Sequence, residues 1–234
     1  MRVTNTRQKW LFVLIVTASS VLASLIITAF LSPTGLSSVA FIPAVSVPLI
    51  VAPIASYVAA QMMLRIYELN ARLTYLATHD QMTGLLNRGA FFERLEDLGR
   101  QRSGALMMAD IDKFKNINDT FGHDVGDKVI CSVAKTIHAQ AGQGSVVARF
   151  GGEEFVAFCP GVIAEDAVAL AELVRAAVAQ QEVHLEGEVL KVTVSIGLKP
   201  MGEACDVDQA LTSADQALYV AKRDGRNKVV SQAA

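Results

Sequence analysis

The stretch RFGGEEF, residues 149–155, places two adjacent carboxylates directly after a pair of glycines. Apolar runs flank the glycines at Val146–Phe150 and Phe155–Phe158, and two short runs separated by a glycine pair are typical of a β-hairpin. Because glycine lacks a Cβ atom, a ligand can approach the backbone of such a turn closely. The predicted hairpin therefore presents Glu153 and Glu154 beside an accessible turn.

A buried strand with an acid near its end precedes the hairpin. The run ALMMADI at Ala105–Ile111 is apolar except for Asp110, and Asp112 follows it. A buried carboxylate is costly unless something pairs it. If this strand lies beside the hairpin, Asp110 joins Glu153 and Glu154, and three carboxylates cannot ionise together without a cation. Such oxygen ligands suit Mg²⁺ or Mn²⁺, and two of these ions can clamp the attacking and leaving oxygens of a phosphoryl transfer.

Helical and strand patterns alternate beyond residue 79. Amphipathic spacing predicts helices at Arg88–Arg100, Asp124–Ala141, Ala164–Gln181 and Asp206–Arg223. Alternating hydrophobicity predicts further strands at Glu188–Leu198 and Lys228–Ser231. The segment 114–127, dense in Asn, Asp and Gly, is predicted to be turn-rich. This order of elements favours an α/β fold, with a central sheet and helices packed on it.

Five motifs in this order resemble one known family. RFGGEEF resembles the signature of the GGDEF family, the bacterial diguanylate cyclases, in its Glu-for-Asp form, and the resemblance covers residues 77–231. The other four motifs are DQMTGLLNR (80–88), DIDKFKNINDTFGHDVGD (110–127), VSIGL (194–198) and ADQALYVAKRDGRNKV (214–229). The resemblance implies a central five-stranded mixed sheet with flanking helices, similar to the palm of nucleotide polymerases and adenylyl cyclases. It also implies an enzyme that joins two GTP into cyclic di-GMP and releases two pyrophosphates.

The resemblance further implies a metal site built from the two acidic segments. By that likeness Asp110 and Glu153 hold Mg²⁺, or Mn²⁺ in its place, and the backbone carbonyl of Ile111 is a further ligand. Glu154 is implied as another essential carboxylate of the metal site. The family's catalytic positions thus fall on Asp110, Glu153 and Glu154, and which of the two glutamates acts as the base stays open.

A GTP site is implied by the same motifs. Asn118 and Asp127 match the positions that read the guanine edge, and His123 matches a nearby substrate contact. An Asn that donates and accepts, with an Asp that accepts from guanine N1–H and N2–H₂, would reject adenine because the wrong base leaves these groups unpaired. The remaining positions that match contacts to the phosphates or the signature turn are Phe114, Lys115, Gly151, Gly152, Lys222 and Arg226.

One departure from the family concerns product inhibition. Many members carry an Arg-x-x-Asp site for the product on the turn before the signature, and the two corresponding positions here are Gly142 and Ser145. Neither can make a charge-assisted contact to phosphate or guanine. The sequence therefore predicts that this inhibitory site is absent.

The composition divides the chain into two parts. Hydrophobic residues make up 52% of its 234 residues and charged residues 19%, with a formal net charge of −2. These values exclude a disordered chain, and the absence of a basic excess argues against a nucleic-acid partner. The three cysteines are too few for a disulfide framework. From Trp10 to Leu64 no Asp, Glu, Lys, Arg or His occurs, whereas all the acids lie at Glu68 or beyond.

Two transmembrane helices are predicted in residues 1–64, at about 10–31 and 37–64. The first run would be roughly 33 Å long as a helix, enough for a hydrocarbon core of about 30 Å. Ser32-Pro-Thr-Gly35 is predicted to be the turn between them, and prolines 43, 48 and 53 predict kinks or an irregular first half of the second span. A cleaved signal peptide is the alternative, but the apolar run is too long and a second run follows it.

The flanking charges predict the orientation in the membrane. Arg2, Arg7 and Lys9 precede the first span and Arg65 follows the second, and cytoplasmic flanks are enriched in basic residues. We therefore expect a multi-pass protein of the bacterial inner membrane in contact with the lipid bilayer, with both termini and the catalytic domain in the cytoplasm. The membrane part is either a sensor or a plain anchor.

A linker helix is predicted at 65–78, followed by the catalytic domain at 79–231. Apolar residues recur at spacings of four and three in a heptad pattern, at Met62, Ile66, Leu69, Leu73 and Leu76. This helix either packs on its own domain or forms a parallel coiled coil between two copies. Because the implied product needs two GTP, each bound by one domain, we favour the coiled coil and a homodimer.

Two other functions are compatible with such a domain. A non-catalytic GTP-binding receptor would signal by contact, but degenerate members usually lose the signature that this chain retains. A cyclase for a different nucleotide is disfavoured by Asn118 and Asp127.

Overall fold

A computed structural model of the chain describes residues 3–31, 37–99, 103–185, 188–202 and 206–232. The chain divides into two units, Met1–Tyr75 and Leu76–Ala234. The first contains helix α1 (Thr6–Leu31) and most of helix α2 (Ser38–Thr78). Both helices are long and apolar enough to cross a membrane by length and composition. They are compatible with the predicted hairpin, and the predicted turn at 32–35 lies outside the described residues.

Helix α2 is continuous through its three prolines, Pro43, Pro48 and Pro53. An irregular first half is therefore wrong, and kinks at the prolines stay a prediction. Each proline removes only one backbone donor, and in apolar surroundings the other peptide groups have no alternative to hydrogen bonding within the helix.

The two apolar helices meet through aromatic rings near the start of α1. The ring centroids of Trp10 and Tyr57 are 5.7 Å apart, and the Lys9 ammonium lies 4.8 Å from the Tyr57 centroid. A cation over an aromatic face is attracted by the ring quadrupole. This contact explains how Lys9 is buried although it is charged.

The second unit is built on a mixed five-stranded sheet with the order β2-β3-β1-β6-β7. Strand β1 is antiparallel to β3 and β6, and β7 is parallel to β6. The strands are β1 (Gly104–Ile111), β2 (Val146–Arg149), β3 (Glu154–Pro160), β6 (Val194–Met201) and β7 (Val229–Ser231), with a separate pair β4 (Val183–His184) and β5 (Val189–Leu190). The helices are α3 (Arg88–Asp97), α4 (Phe114–Phe121), α5 (His123–Ala141), α6 (Ala164–Gln180) and α7 (Val207–Arg223). The predicted fold class is confirmed.

The sheet has a core on each face. Met107 and Ala109 of β1 pack with residues of α5 and α6, while Leu106 and Met108 pack with α3 and α7. All eight residues of β1 are buried because the strand is central. Side chains alternate along a strand, so Asp110 points to the same face as Met108, toward α7.

Helix α7 lies unusually close to strand β6. A Cβ atom on Gly197 would overlap the Ala214 carbonyl oxygen and the Leu218 amide of α7. Only glycine permits this approach, and it brings the end of α7 over the end of β1.

Two elements differ from the sequence prediction. The turn-rich segment contains helix α4, whose Phe114, Ile117 and Phe121 face the core at helical spacing. The predicted strand 188–198 is interrupted, because Val189–Leu190 pairs with β4 outside the main sheet and β6 begins at Val194. Between them, Thr193 accepts from the Asp112 amide at 2.9 Å and donates from its hydroxyl to Asp112 Oδ2 at 2.6 Å.

Candidate active site

The signature hairpin lies beside the end of β1, as the sequence predicts. Asp110 is the register partner of Glu154 in the antiparallel pair β1–β3. The Ile111 amide also donates to the Glu153 carbonyl oxygen at 3.3 Å, so the ladder continues into the turn. Asp110 is only 5% exposed, whereas Glu153 and Glu154 are half-buried.

A lysine from α7 pairs with the buried acid. The Lys222 ammonium is 2.7 Å from Asp110 Oδ2. The pKa of Asp110 is raised to about 6. Burial is the largest cause of this rise, Lys222 opposes it, and the charges of Glu153 and Glu154 add to it. Asp110 is therefore a carboxylate whose charge depends on a neighbouring cation.

The residues around Asp110 fit a metal ion whose coordination shell is completed by water and substrate. Among the described residues, no three His, Cys, Asp or Glu side chains are grouped so as to hold an ion by themselves. Mg²⁺ is usually bound through one or two carboxylates together with waters and substrate phosphates. The raised pKa of Asp110 with its neighbouring acids is the electrostatic condition that a divalent cation relieves.

Asn118, on α4, is held against helix α5. Its Oδ1 atom is buried and has no hydrogen-bond partner. A Cβ atom on Gly126 of α5 would overlap that oxygen and would lie 3.2 Å from Phe114 Cζ. Asn118 as a whole is half-buried at this contact. Asp127 and His123, one turn apart on α5, are both exposed.

The start of α4 and the turn after α7 border one polar cavity of about 360 Å³. Lys113, Asn116, Thr193, Arg226 and Asn227 are among its lining residues. Free backbone amides at a helix start attract anions. The structure thus brings Arg226 near the beginning of the helix that carries Phe114, which is buried, and Lys115, which is exposed.

An arginine that was not predicted as a site residue supports the signature turn. Arg149 donates from Nε and Nη2 to the Gly152 carbonyl oxygen at 3.1 and 2.7 Å. Its Nη1 lies 3.2 Å from both carboxylate oxygens of Asp80. Both residues belong to recognised motifs, but their separation along the chain gives no signal of pairing.

Asp80 is fixed from its other side. Its Oδ1 accepts from the Thr83 amide at 2.8 Å and the Thr83 hydroxyl at 2.7 Å. Partial burial alone would raise the pKa of Asp80. The Thr83 hydrogen bonds and the Arg149 guanidinium outweigh that effect and hold this pKa below its usual value.

The turn between α5 and β2 contains the two positions considered for product inhibition. Gly142 is exposed and caps α5, and the Ser145 hydroxyl donates to the Ala141 carbonyl oxygen at 2.6 Å. The Ser145 hydroxyl is thus engaged within its own turn.

Comparison with known proteins matches residues 77–228 to the family model described as diguanylate cyclase, GGDEF domain. The chain is 40% identical over 168 residues to diguanylate cyclase DgcM of Escherichia coli K12, covering 70% of this chain and 40% of that one. It is 44% identical over 159 residues to diguanylate cyclase DgcP of Pseudomonas aeruginosa, covering 65% of this chain and 24% of that one. The chain thus spans less than half the length of these curated relatives.

Two solved structures resemble the chain in fold. The coiled coil and GGDEF domain of DgcB from Caulobacter crescentus, in complex with c-di-GMP, has a TM-score of 0.69 at 31% identity, over 74% of this chain and 95% of that one. The active GGEEF domain of a diguanylate cyclase from Vibrio cholerae has a TM-score of 0.53 at 34% identity, over 62% of this chain and 91% of that one.

Proposed function

Since the chain belongs to the GGDEF family of diguanylate cyclases, we propose that it condenses two GTP into cyclic di-GMP and releases two pyrophosphates. The observation that carries this proposal is the placement of Asp110 beside Glu154 and under Lys222. It combines acids that can hold a divalent cation with a cation that can face phosphate.

The acids at the end of β1 supply the metal site of this proposal. Asp110, Glu153, Glu154 and the Ile111 carbonyl would hold Mg²⁺ or Mn²⁺, which polarises the α-phosphorus and lowers the pKa of the attacking 3′-hydroxyl. Either Glu153 or Glu154 takes the proton of that hydroxyl. Both are half-buried and follow the glycine turn directly.

The remaining residues bind and orient GTP. Lys222 and Arg226 neutralise the triphosphate. The backbone amides of Phe114 and Lys115 donate hydrogen bonds to its oxygens at the start of α4. Gly151 and Gly152 let the nucleotide approach the turn closely.

Guanine is recognised by α4 and α5. Asn118 donates to and accepts from the guanine edge, Asp127 accepts from N1–H and N2–H₂, and His123 contacts the substrate nearby. The close approach of Gly126 to Asn118 supports this role, because it holds the amide in one place.

The active unit of this proposal is a homodimer. The five residues of the heptad are all exposed on α2, with 59% of Ile66 and 62% of Leu73 accessible. A parallel coiled coil between two copies would cover this apolar face. Two catalytic domains could then place one GTP each on either side of the reaction.

The N-terminal unit anchors the enzyme in the inner membrane under this proposal. Residues 1–64 contain both spans, residues 65–78 are the linker helix, and residues 79–231 are the cyclase domain. The apolar character of α1 and α2 supports this division. Both termini and the cyclase domain are cytoplasmic, and protease accessibility in spheroplasts tests that orientation.

The expected product feedback is weak. Gly142 and Ser145 offer no charge to cyclic di-GMP at the positions of the inhibitory site. Titration of the purified enzyme with product tests this, and submicromolar inhibition that depends on this turn would refute it.

Turnover of GTP tests the proposed activity itself. The full-length protein in detergent or lipid discs should convert GTP and Mg²⁺ into cyclic di-GMP and pyrophosphate, detected by mass spectrometry. Glu153→Gln and Glu154→Gln should each abolish the product. GTP binding without product in a preserved dimer would instead indicate the non-catalytic receptor, and competition by ATP would indicate another cyclase.

A further inference from the structure

Asp112, the second acid of the Asp-x-Asp segment, has both carboxylate oxygens occupied by donors of the protein. Its Oδ1 accepts from the Ser195 hydroxyl at 2.6 Å, and its Oδ2 accepts from the Thr193 hydroxyl at 2.6 Å. The Asn227 amide also donates to Oδ2, at 3.0 Å. Asp112 is 8% exposed. These bonds satisfy a buried carboxylate through hydroxyl and amide groups, and they leave Asp112 poorly suited to bind a metal.

The turn that Asp112 contacts is strained. Gly225, Arg226 and Asn227 have φ angles of +112°, +66° and +44°. Residues other than glycine rarely adopt this left-handed region, and such conformations persist where surrounding contacts hold them. The position of Arg226 therefore depends on the contacts of its turn.

Contacts from three parts of the fold hold this turn. The Arg226 amide donates to the Ala221 carbonyl oxygen of α7 at 3.0 Å. Arg175 of α6 donates from Nη1 to Asn227 Oδ1 at 2.7 Å. The bond from Asn227 to Asp112 ties the turn to the end of β1, the strand that carries Asp110.

We propose that Asp112 is a positioning residue for the triphosphate: it holds the turn Gly225–Asn227 against β1 and β6, and so sets where Arg226 meets the terminal phosphates. This inference rests on the proposed GTP site. Asp112 touches no substrate in this role and acts through Asn227 and Arg226.

The role has a consequence that a purely structural acid would not have. Loss of Asp112 should weaken binding of the triphosphate, which Arg226 faces, and leave binding of guanine and the α-phosphate unchanged. The ratio of triphosphate to monophosphate affinity therefore distinguishes positioning from general destabilisation.

The experiment compares 3′-deoxy-GTP, which lacks the attacking hydroxyl, with GMP on the full-length protein in Mg²⁺. Asp112→Asn should lower the affinity for the triphosphate about tenfold and that for GMP by less than about twofold. Arg226→Ala should show the same selectivity. The double variant should lose no more affinity for the triphosphate than the more affected single variant, because both changes remove the same interaction.

Two further variants keep the test decisive. Thr193→Val removes one donor to Asp112 at nearly constant volume, so a selective loss of about threefold is expected even if Asp112→Asn does not fold. Asp166→Asn makes the same chemical change at an exposed site on α6 and should change neither affinity.

Several outcomes would overturn the inference. Equal losses for both nucleotides would show a purely structural role, full additivity with Arg226→Ala would show independent action, and an unchanged triphosphate affinity in Thr193→Val would show that the network does not position the turn. If the unsubstituted protein bound neither nucleotide, the proposed function itself would fail, which no selective loss can imitate.

Discussion

Asp110 shows how one residue is shaped by its surroundings. It is buried at the end of β1, paired with Lys222 and close to two further acids, and its pKa is raised from 3.8 to about 6. The folded state therefore binds more protons than the unfolded chain between these values. Its contribution to the free energy of unfolding is largest below about pH 4 and is lost as the pH rises through about 6.

The same pKa predicts a pH dependence of metal binding. Without GTP, the affinity for Mn²⁺ should fall about tenfold per pH unit below about pH 6, because a proton competes for Asp110. Electron paramagnetic resonance titration of free Mn²⁺ measures this between pH 5 and 8. Asp110→Asn should abolish the dependence and Asp166→Asn should retain it. Equal affinity at pH 5 and pH 7.5 would contradict the prediction.

Gly126 predicts a change in base recognition. In Gly126→Ala the new methyl group would overlap Asn118 Oδ1, so Asn118 must move and the KM for GTP should rise about tenfold, with an overpacking cost of about 1–3 kcal/mol. Steady-state kinetics with GTP and competition by ATP measure both affinity and selectivity.

Gly89 provides the matched control for this change. It lies in helix α3, where a Cβ would meet only Asn87 Oδ1 at an ordinary 3.5 Å. Gly89→Ala should leave the kinetics unchanged and stabilise the helix by about 0.5–1 kcal/mol. An unchanged KM in Gly126→Ala would show that Asn118 does not read the base.

Among the elements, the end of α2 is joined to the signature hairpin by side chains. Asn87, which caps α3, donates from its backbone amide to the Thr78 carbonyl oxygen at 2.9 Å and from Nδ2 to that of Ala77 at 2.6 Å. Asp80 follows two residues after Thr78 and holds Arg149, which in turn holds Gly152. A displacement at the end of α2 can therefore reach the turn that carries Glu153.

Arg149→Lys tests this connection. Lysine has no planar fork and cannot hold Asp80 and Gly152 together, so kcat should fall about tenfold while the affinity for GTP changes little. The melting temperature should also fall, because the Arg149 and Asp80 side chains are only 14% and 23% exposed and lysine leaves one of the two partners unpaired. Arg94→Lys, on the exposed face of α3, is the control. A full kcat in Arg149→Lys would show that the turn needs no such support.

At the scale of the whole molecule, the proposed activity requires two copies to meet. Leu69→Glu with Leu73→Glu puts charges on the heptad face and should disrupt the dimer. Cyclic di-GMP production at low protein concentration should fall more than about tenfold and recover in part as concentration rises. Light scattering in detergent gives the oligomeric state.

The control for this pair adds the same charges on another side of the helix. Tyr67→Glu with Ala71→Glu lies at heptad positions away from the apolar stripe and should leave the dimer intact. A fully active monomer of the Leu69 and Leu73 variant would exclude the coiled-coil proposal.

The membrane unit is tested by a version of the protein that begins near residue 66. It should have lower specific activity than the full-length protein at the same low concentration, because two tethered copies have a higher effective concentration. Equal activity at every concentration would mean that residues 1–64 serve only as an anchor.

Sequence patterns were informative where the physical signal is local. The absence of charge from Trp10 to Leu64 predicts the two apolar helices, and the continuous apolar run at Ala105–Ile111 predicts β1, because burial acts on each residue of these elements. Helix α4 was missed because its polar residues hid a short apolar spacing. The interruption of the strand 188–198 was missed because the pairing of Val189–Leu190 with β4 leaves no mark in the alternation.

The sequence by itself determined the family, the α/β class, the two apolar helices and the acids of the candidate site, since motif order and hydrophobic pattern are properties of the chain. Only the tertiary structure decided what these residues touch. In the folded chain Lys222 pairs with Asp110, Arg149 pairs with Asp80, and Asp112 bonds to the turn that carries Arg226. These contacts follow from sheet register and helix approach, which bring together residues that no spacing along the chain relates.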